Sequence, residues 1–302
     1  MAARPLRIGF VPEHFSTPIH FAKKHYSLDA ELIPFPSGTG HMITAIRDRE
    51  IDIGIGLTEG WVAGLGKTQQ AGEGDGGYTF VGTYVETPLC WAISTGANRS
   101  DIQSADSLKG AKIGVSRVGS GSYVMGFVLA DQRGWLTSGE QSSPFSDIVV
   151  LNTFENLRKA VNSGEADFFM WETFTSKRYY DLGEIRKVGE IYTPWSSWKI
   201  VASTLLVQGG DVDPRVEDLL EKLNLGIKHF NENQEEAVEY ISTHLDYTAE
   251  DAREWLKTVK FPKWTQGVDP KVIASTVEIL CKAGVLSASK GVDSNAMITK
   301  QR

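Results

Sequence analysis

Four acidic residues stand where apolar runs give way to polar turns: Glu13, Glu59, Glu86 and Glu172. Gathered in one place, such carboxylates favour a ligand with N–H donors or an amine over a simple anion such as nitrate. Taken singly, each is as readily a solvated rim charge. Five tryptophans occupy the same kind of position: Trp61, Trp91, Trp171, Trp195 and Trp198. An indole face under a flat ring contributes about 0.5–1.5 kcal/mol beyond area burial. At least two of the five are expected to pack a core or hinge instead. Two Gly/Ser-rich turns open helical patterns, Ser37-Gly38-Thr39-Gly40 and Gly119-Ser120-Gly121-Ser122. A helix start offers unpaired N–H groups and the positive end of the dipole, about 0.3–1 kcal/mol toward an anionic or acceptor atom. The same residues also serve as plain caps. Arg117, just before the second turn, is a cation able to meet a carboxylate or sulfonate. Pro12, Glu13 and His14 follow the first apolar run. Glu13 and His14 are spaced to act as an acid–base pair, although hydrogen bonding to ligand or backbone is the simpler role. Thr58 stands as an N-cap ahead of Glu59 and Trp61.

Other chemistries find no support. The chain contains no H-E-x-x-H, G-x-S-x-G or P-loop motif. The run Gly72–Gly77 neither follows a strand nor opens a helix, so it reads as a surface loop. His14 and His41 lie at a strand end and a helix start, while His20 and His25 share an amphipathic helix and read as surface. No metal site and no cofactor is expected. The two cysteines, Cys90 and Cys281, read as reduced thiols outside any zinc or disulfide framework. A net charge of -7 leaves no basic stripe to meet phosphates, so nucleic acid is not an expected partner. No apolar run is long enough to span a bilayer. The first strand begins at residue 6 with no apolar signal core before it, which predicts a cytoplasmic protein.

The elements that must position these residues follow from periodicity. Strands are predicted over 7–11, 31–35, 51–57, 79–85, 89–94, 148–151, 168–171, 185–191 and 199–207, with one more following the Gly110 stop and ending at Val115. Helices alternate with them, Thr17-Pro18 opening the first and Asn152 with Glu155 opening another. Pro34 places the second strand at a sheet edge. From Pro214 the pattern is helical, over 214–233, 234–244, 248–258 and 269–286, and the chain frays from about Ser287. Ala45-Ile46, Glu50, Asp52 and Ile53 recur as Ala160-Val161, Glu165, Asp167 and Phe168 at constant spacing. That recurrence suggests two similar lobes, or only shared strand–helix grammar.

The order SGTG–helix–EIDIGIG–LTEG, then SLKGAKIGV followed by GSGSY, resembles the type II periplasmic solute-binding protein superfamily. It is most similar to the nitrate/sulfonate-type binding proteins and the thiamine-pyrimidine-precursor synthases. It also resembles fungal solute-binding proteins that lack a signal peptide. The resemblance implies an α/β fold of two lobes, each a mostly parallel sheet flanked by helices. Lobe one would be 1–88 plus 200–302 and lobe two 89–199. Two crossing strands would hinge near 86–93 and 195–202, with the C-terminal helices on lobe one. It also implies a small-molecule ligand held in the cleft, with hinge closure.

The leading reading is non-catalytic binding of a small, flat, polar molecule such as a thiamine-related pyrimidine. An enzyme on the same scaffold is the second reading, and two cysteines fit poorly the Cys-rich motif of the precursor synthases. A sensor that recruits a protein partner is the third; that partner is unknown.

Overall fold

A computed structural model describes residues 4–136 and 143–302. Strand β1 (Leu6–Phe10) leads into helix α1 (Thr17–Tyr26), β2 (Ala30–Pro34), α2 (Thr39–Arg47), β3 (Ile53–Leu57), α3 (Thr58–Ala71) and β4 (Tyr78–Val85). Then come β5 (Cys90–Gly96), β6 (Lys112–Val115), α4 (Gly121–Gln132), β7 (Asp147–Val150), α5 (Phe154–Ser163), β8 (Phe168–Glu172), α6 (Thr173–Asp181), β9 (Ile185–Tyr192) and β10 (Trp198–Ser203). Helices α7 (Pro214–Glu232), α8 (Gln234–His244), α9 (Ala249–Leu256) and α10 (Pro270–Lys282) complete the chain. Among the described residues, no helix is long and apolar enough to cross a membrane.

The chain divides into two compact units. The first comprises Met1–Thr87, Trp195–Glu278 and Leu286–Arg302; the second comprises Pro88–Pro194 and Ile279–Val285. The first unit carries a five-stranded sheet in the order β2-β1-β3-β10-β4, the second one in the order β7-β6-β8-β5-β9. Both are mixed. In the first, β1 pairs parallel with β2 and β3, and β10 runs antiparallel between β3 and β4. In the second, β6 pairs parallel with β7 and β8, and β5 runs antiparallel between β8 and β9. Edge strand β2 tolerates Pro34 because the outer side of the strand needs no donor.

The repeated residues do the same work in each unit. Asp52 takes the backbone N–H of Arg7 at 2.9 Å, and Asp167 takes that of Lys112 at 2.7 Å. Asp52 N–H donates to the Arg7 carbonyl and Asp167 N–H to that of Lys112. Each carboxylate also meets arginine: Arg4 and Arg7 on Asp52, Arg99 on Asp167. The recurring spacing thus marks a true structural repeat that ties each helix–strand unit to the strand beside it.

The cores follow from the apolar runs. Strand β4 is buried along its whole length and β3 nearly so, as expected of strands covered on both faces. Gly54 in β3 is a packing choice, since a Cβ there would lie 2.5 Å from Trp61 Cη2. Trp61 itself is wholly buried, edge-on to Tyr78 at 5.1 Å.

Three local expectations differ. The α3 N-cap is Leu57, and Thr58 is already helical, because the Thr58 hydroxyl is turned to the Ser196 carbonyl at 2.6 Å. The α5 N-cap is Thr153, whose hydroxyl accepts from Asn156 N–H, while Asn152 adopts a left-handed φ of 67°. The segment after Ser287 is ordered rather than frayed. Edge strand β4 has backbone groups to satisfy, and Ile298 bridges to Phe80 while Thr299 N–H donates to the Phe80 carbonyl at 3.1 Å. Arg302 then pairs with Glu86.

Candidate functional site

In open α/β sheets, ligands are met at the carboxyl ends of the strands. In the first unit that end is built from the turn after β1, the starts of α2 and α3, and the approach to β10. Gly38 precedes α2 with φ 77°, a conformation that excludes a Cβ without strain. Ser37 is exposed and Gly38 and Gly40 are half-buried. Buried Thr39 turns its hydroxyl inward to accept Leu57 N–H at 2.9 Å, which locks the α2 start against β3. The first N–H groups of α2 have no partner within the helix.

Glu59 is the unusual group here. It lies in the first turn of α3 and is wholly buried. Its Oε2 accepts the Trp195 indole N–H at 3.1 Å. Its Oε1 meets no hydrogen-bond partner among the described residues. Burial drives its pKa up to about 7, opposed by its own backbone N–H, the Trp195 N–H and the charge of Lys199. The helix dipole favours the ionised form at this position.

Lys199 is the residue the sequence reading missed. It is buried within β10, with Nζ donating to the Ser196 carbonyl at 3.3 Å and to the Ser196 hydroxyl. Burial, and then the charge of Arg302, lower its pKa to about 7. The available signal was a lysine set inside the apolar stretch Trp198–Ala202, where a charge must be satisfied or neutralised.

The remaining first-unit candidates have structural duties. His14 is buried against Tyr247, stacked at 4.4 Å, and against Trp255 at 4.2 Å, and burial holds its pKa well below the usual range. An imidazole in that setting is held neutral. Glu13 caps a short 3-10 turn through its backbone, its carbonyl accepting the Ser16 hydroxyl at 2.7 Å, and Pro12 beside it is half-buried. The Trp61 ring is consumed by the core. Trp198 is buried beside Phe15, 5.3 Å between ring centres. Glu86 is engaged by Arg302 and Lys260, which makes it a strand-end anchor.

In the second unit, β6 runs into Arg117 and the turn before α4. Arg117 is half-buried, and desolvation lowers its pKa. Gly119 has φ 80°, and Ser120 is the N-cap, its Oγ accepting Tyr123 N–H at 3.3 Å. The Ser120 and Ser122 hydroxyls lie 2.9 Å apart, and Ser120, Gly121 and Ser122 are all buried. Trp91 is buried at the start of β5, and its Nε1 finds no partner among the described residues. Glu172 caps α6, taking Thr175 N–H at 2.6 Å and its hydroxyl at 3.0 Å, and burial brings its pKa to about 7. Trp171 stacks on Phe154 at 4.9 Å over the cluster formed by Leu151, Leu157 and Phe169. Glu172 and Trp171 are therefore accounted for by capping and packing.

The first unit thus presents one buried carboxyl oxygen able to take a hydrogen bond, and a buried lysine whose charge acts on that carboxyl. The second presents a Ser-rich helix start preceded in the chain by Arg117, and a buried indole N–H.

A family model described as Ca3427-like periplasmic binding protein matches residues 91–191. No curated protein matches the chain. Among solved structures, the CA3427 gene product of Candida albicans is 41% identical, with 99% of this chain and 97% of that one covered and a TM-score of 0.86. That protein defines a family with the generic periplasmic binding protein fold. The alkanesulfonate-binding protein SsuA of Xanthomonas axonopodis pv. citri, bound to MOPS, is 17% identical over 96% of each chain, with a TM-score of 0.72. The aliphatic sulphonate binding protein SsuA of Escherichia coli is 17% identical over 98% of this chain and 92% of its own, with a TM-score of 0.70. At these lower identities the likeness is one of fold. On its identity to the Candida albicans protein over nearly its whole length, the chain belongs to the Ca3427-like family of proteins with the two-lobed periplasmic-binding-protein fold.

Proposed function

We propose that the chain binds, without transforming, a small polar heteroaromatic molecule carrying N–H donors, such as a thiamine-related aminopyrimidine. The ligand would be held between the two lobes, which close over it by hinge motion. Solute binding is what the fold supports in general; the ligand class rests on the Glu59 carboxyl.

That carboxyl is the observation that carries the reading. A buried oxygen lacking a hydrogen bond costs about 1–3 kcal/mol, and Glu59 Oε1 lacks one among the described residues. An amino or ring N–H of a ligand would satisfy it. A sulfonate or nitrate would instead meet Glu59, once ionised, as a like charge. The Ser120–Ser122 helix start and Arg117 suit an acceptor atom at another point of the ligand. Cys90 and Cys281 are both free thiols, which accords with a reducing compartment such as the cytosol.

The test is intrinsic tryptophan fluorescence of the full chain titrated with aminopyrimidines, thiamine precursors and alkanesulfonates. The reading expects saturable binding to an aminopyrimidine, weakened roughly ten-fold or more in Glu59→Ala, since truncating one partner of a buried charged hydrogen bond costs about 2–5 kcal/mol. Binding of alkanesulfonates alone, undiminished in Glu59→Ala, would reject it.

A further inference from the structure

The geometry points to a binding site for one divalent first-row transition-metal ion, of the zinc class, formed by His25, His229 and Glu236 in the first unit. The three residues come from α1, α7 and α8, and their ligand atoms all lie within 4.8 Å of one another. His25 Nε2 is 2.9 Å from Glu236 Oε1, and His229 Nε2 is 2.7 Å from Oε2. The two imidazoles stack with centroids 4.1 Å apart and planes 18° apart. Both therefore aim the same nitrogen at one carboxylate.

The backbone packing creates this arrangement. Helices α1 and α7 touch at Gly226, where a Cβ would lie 2.3 Å from the Pro18 carbonyl oxygen and 2.9 Å from Ala22 N. One turn further along each helix stand His25 and His229, so the close approach brings their rings face to face. Phe21 abuts both edge-on, at 5.7 and 5.2 Å. Glu236 enters from the first turn of α8, on the far side of the break at Asn233.

Two imidazoles and one carboxylate suit zinc, copper or nickel, and are too rich in nitrogen for magnesium or calcium. With the carboxylate ionised, both Nε2 atoms carry a hydrogen and donate to it. A divalent cation would take the place of those two hydrogens, each imidazole proton moving to Nδ1. For His229 a partner is already there: the Tyr26 hydroxyl is 3.3 Å from Nδ1 and would accept that proton's hydrogen bond. Such outer partners orient metal-bound imidazoles generally. Lys24 Nζ, 2.7 Å from Oε1, competes for the carboxylate, but its side chain is 61% exposed and free to swing into water. The metal would cross-link three helices already drawn together here by the hydrogen bonds and ion pair on Glu236.

The full chain, stripped with a chelator, is titrated with zinc chloride by calorimetry and melted with and without zinc. The expected result is one zinc per chain and a zinc-dependent rise in Tm. Affinity should fall roughly ten-fold or more in His25→Ala and in Glu236→Gln. Both side chains are partly exposed, and zinc-free melts confirm that the variants fold. Lys24→Met should bind zinc more tightly than the parent, which a purely structural ion pair would not predict. No binding by the parent protein, or parental affinity in either ligand variant, overturns the proposal.

Discussion

Replacing Glu59 by glutamine should change stability and binding in opposite directions at alkaline pH. Burial raises the carboxyl from about 4.5 to about 7. Between those values the native state keeps a proton that the unfolded chain has released. Stability therefore falls as pH rises through that window, and the full penalty is present above about 7. At 1.36 kcal/mol per pH unit, the window corresponds to about 3 kcal/mol. Glutamine does not titrate. Its amide hydrogens carry their own cost in this buried place, but that cost is the same at every pH. The readable quantity is thus the difference between variant and parent at two pH values. Relative to the parent, Glu59→Gln should gain about 2 kcal/mol between pH 5.5 and pH 8, since part of the window lies below pH 5.5, or roughly 4–8 °C in Tm for a unit of this size. Glu172, also raised to about 7, contributes a slope of the same sign to both proteins and cancels in the comparison. The assay is thermal melting by circular dichroism at both pH values, with ligand binding measured alongside. Parallel pH profiles for parent and variant would refute the reasoning, because they would mean that Glu59 is ionised and solvated in the folded protein. A variant that gains alkaline stability while losing ligand affinity is the signature of a strained binding residue.

Gly226→Val should cost about 1–3 kcal/mol by wedging α1 from α7 at the Pro18 carbonyl, and it should abolish zinc binding at His25 and His229; calorimetry and melting read both. Asp52→Ala removes the partner of Arg4, Arg7 and the Arg7 backbone N–H, and, with both arginines still reaching water, should cost about 1–3 kcal/mol in a urea unfolding curve. The Asp52 pKa is held below its ordinary value, against the effect of burial, by hydrogen bonds from Arg7 and Arg4. Its contribution is therefore present at neutral pH and disappears as pH falls through the folded pKa. Removing 297–302 uncovers the β4 edge, and hydrogen exchange should quicken at Thr299's partner strand around Phe80 while β1 stays protected.

Much of the architecture was legible because it depends on local period and on turn chemistry. The apolar runs ending in Gly/Ser turns located every major strand, and Pro34 alone placed β2 at the edge. The recurring Asp52 and Asp167 were legible as a spacing, and their shared hydrogen bonds to Arg7 and Lys112 explain why that spacing exists. The site was less legible because strand-end residues face either way. Trp61 and Trp171 had the position of stacking platforms, yet Gly54 opens a slot for one and Phe154 stacks on the other. Thr58 had the type of a cap, yet its hydroxyl is drawn to Ser196, more than a hundred residues away. The tail after Ser287 lacked periodicity because it pairs along β4, and pairing partners distant in sequence leave no local pattern. His25 read as surface because neither His229 nor Glu236 is near it in the chain.

The central claim is that this family member holds a small ligand with N–H donors through Glu59. The most direct measurement is mass spectrometry of whatever small molecule leaves the protein when freshly purified parent and Glu59→Gln chains are denatured side by side. The account predicts a nitrogen heterocycle with an amino group released from the parent and lost from the variant. A sulfonate or other N–H-free anion released equally from both would contradict it.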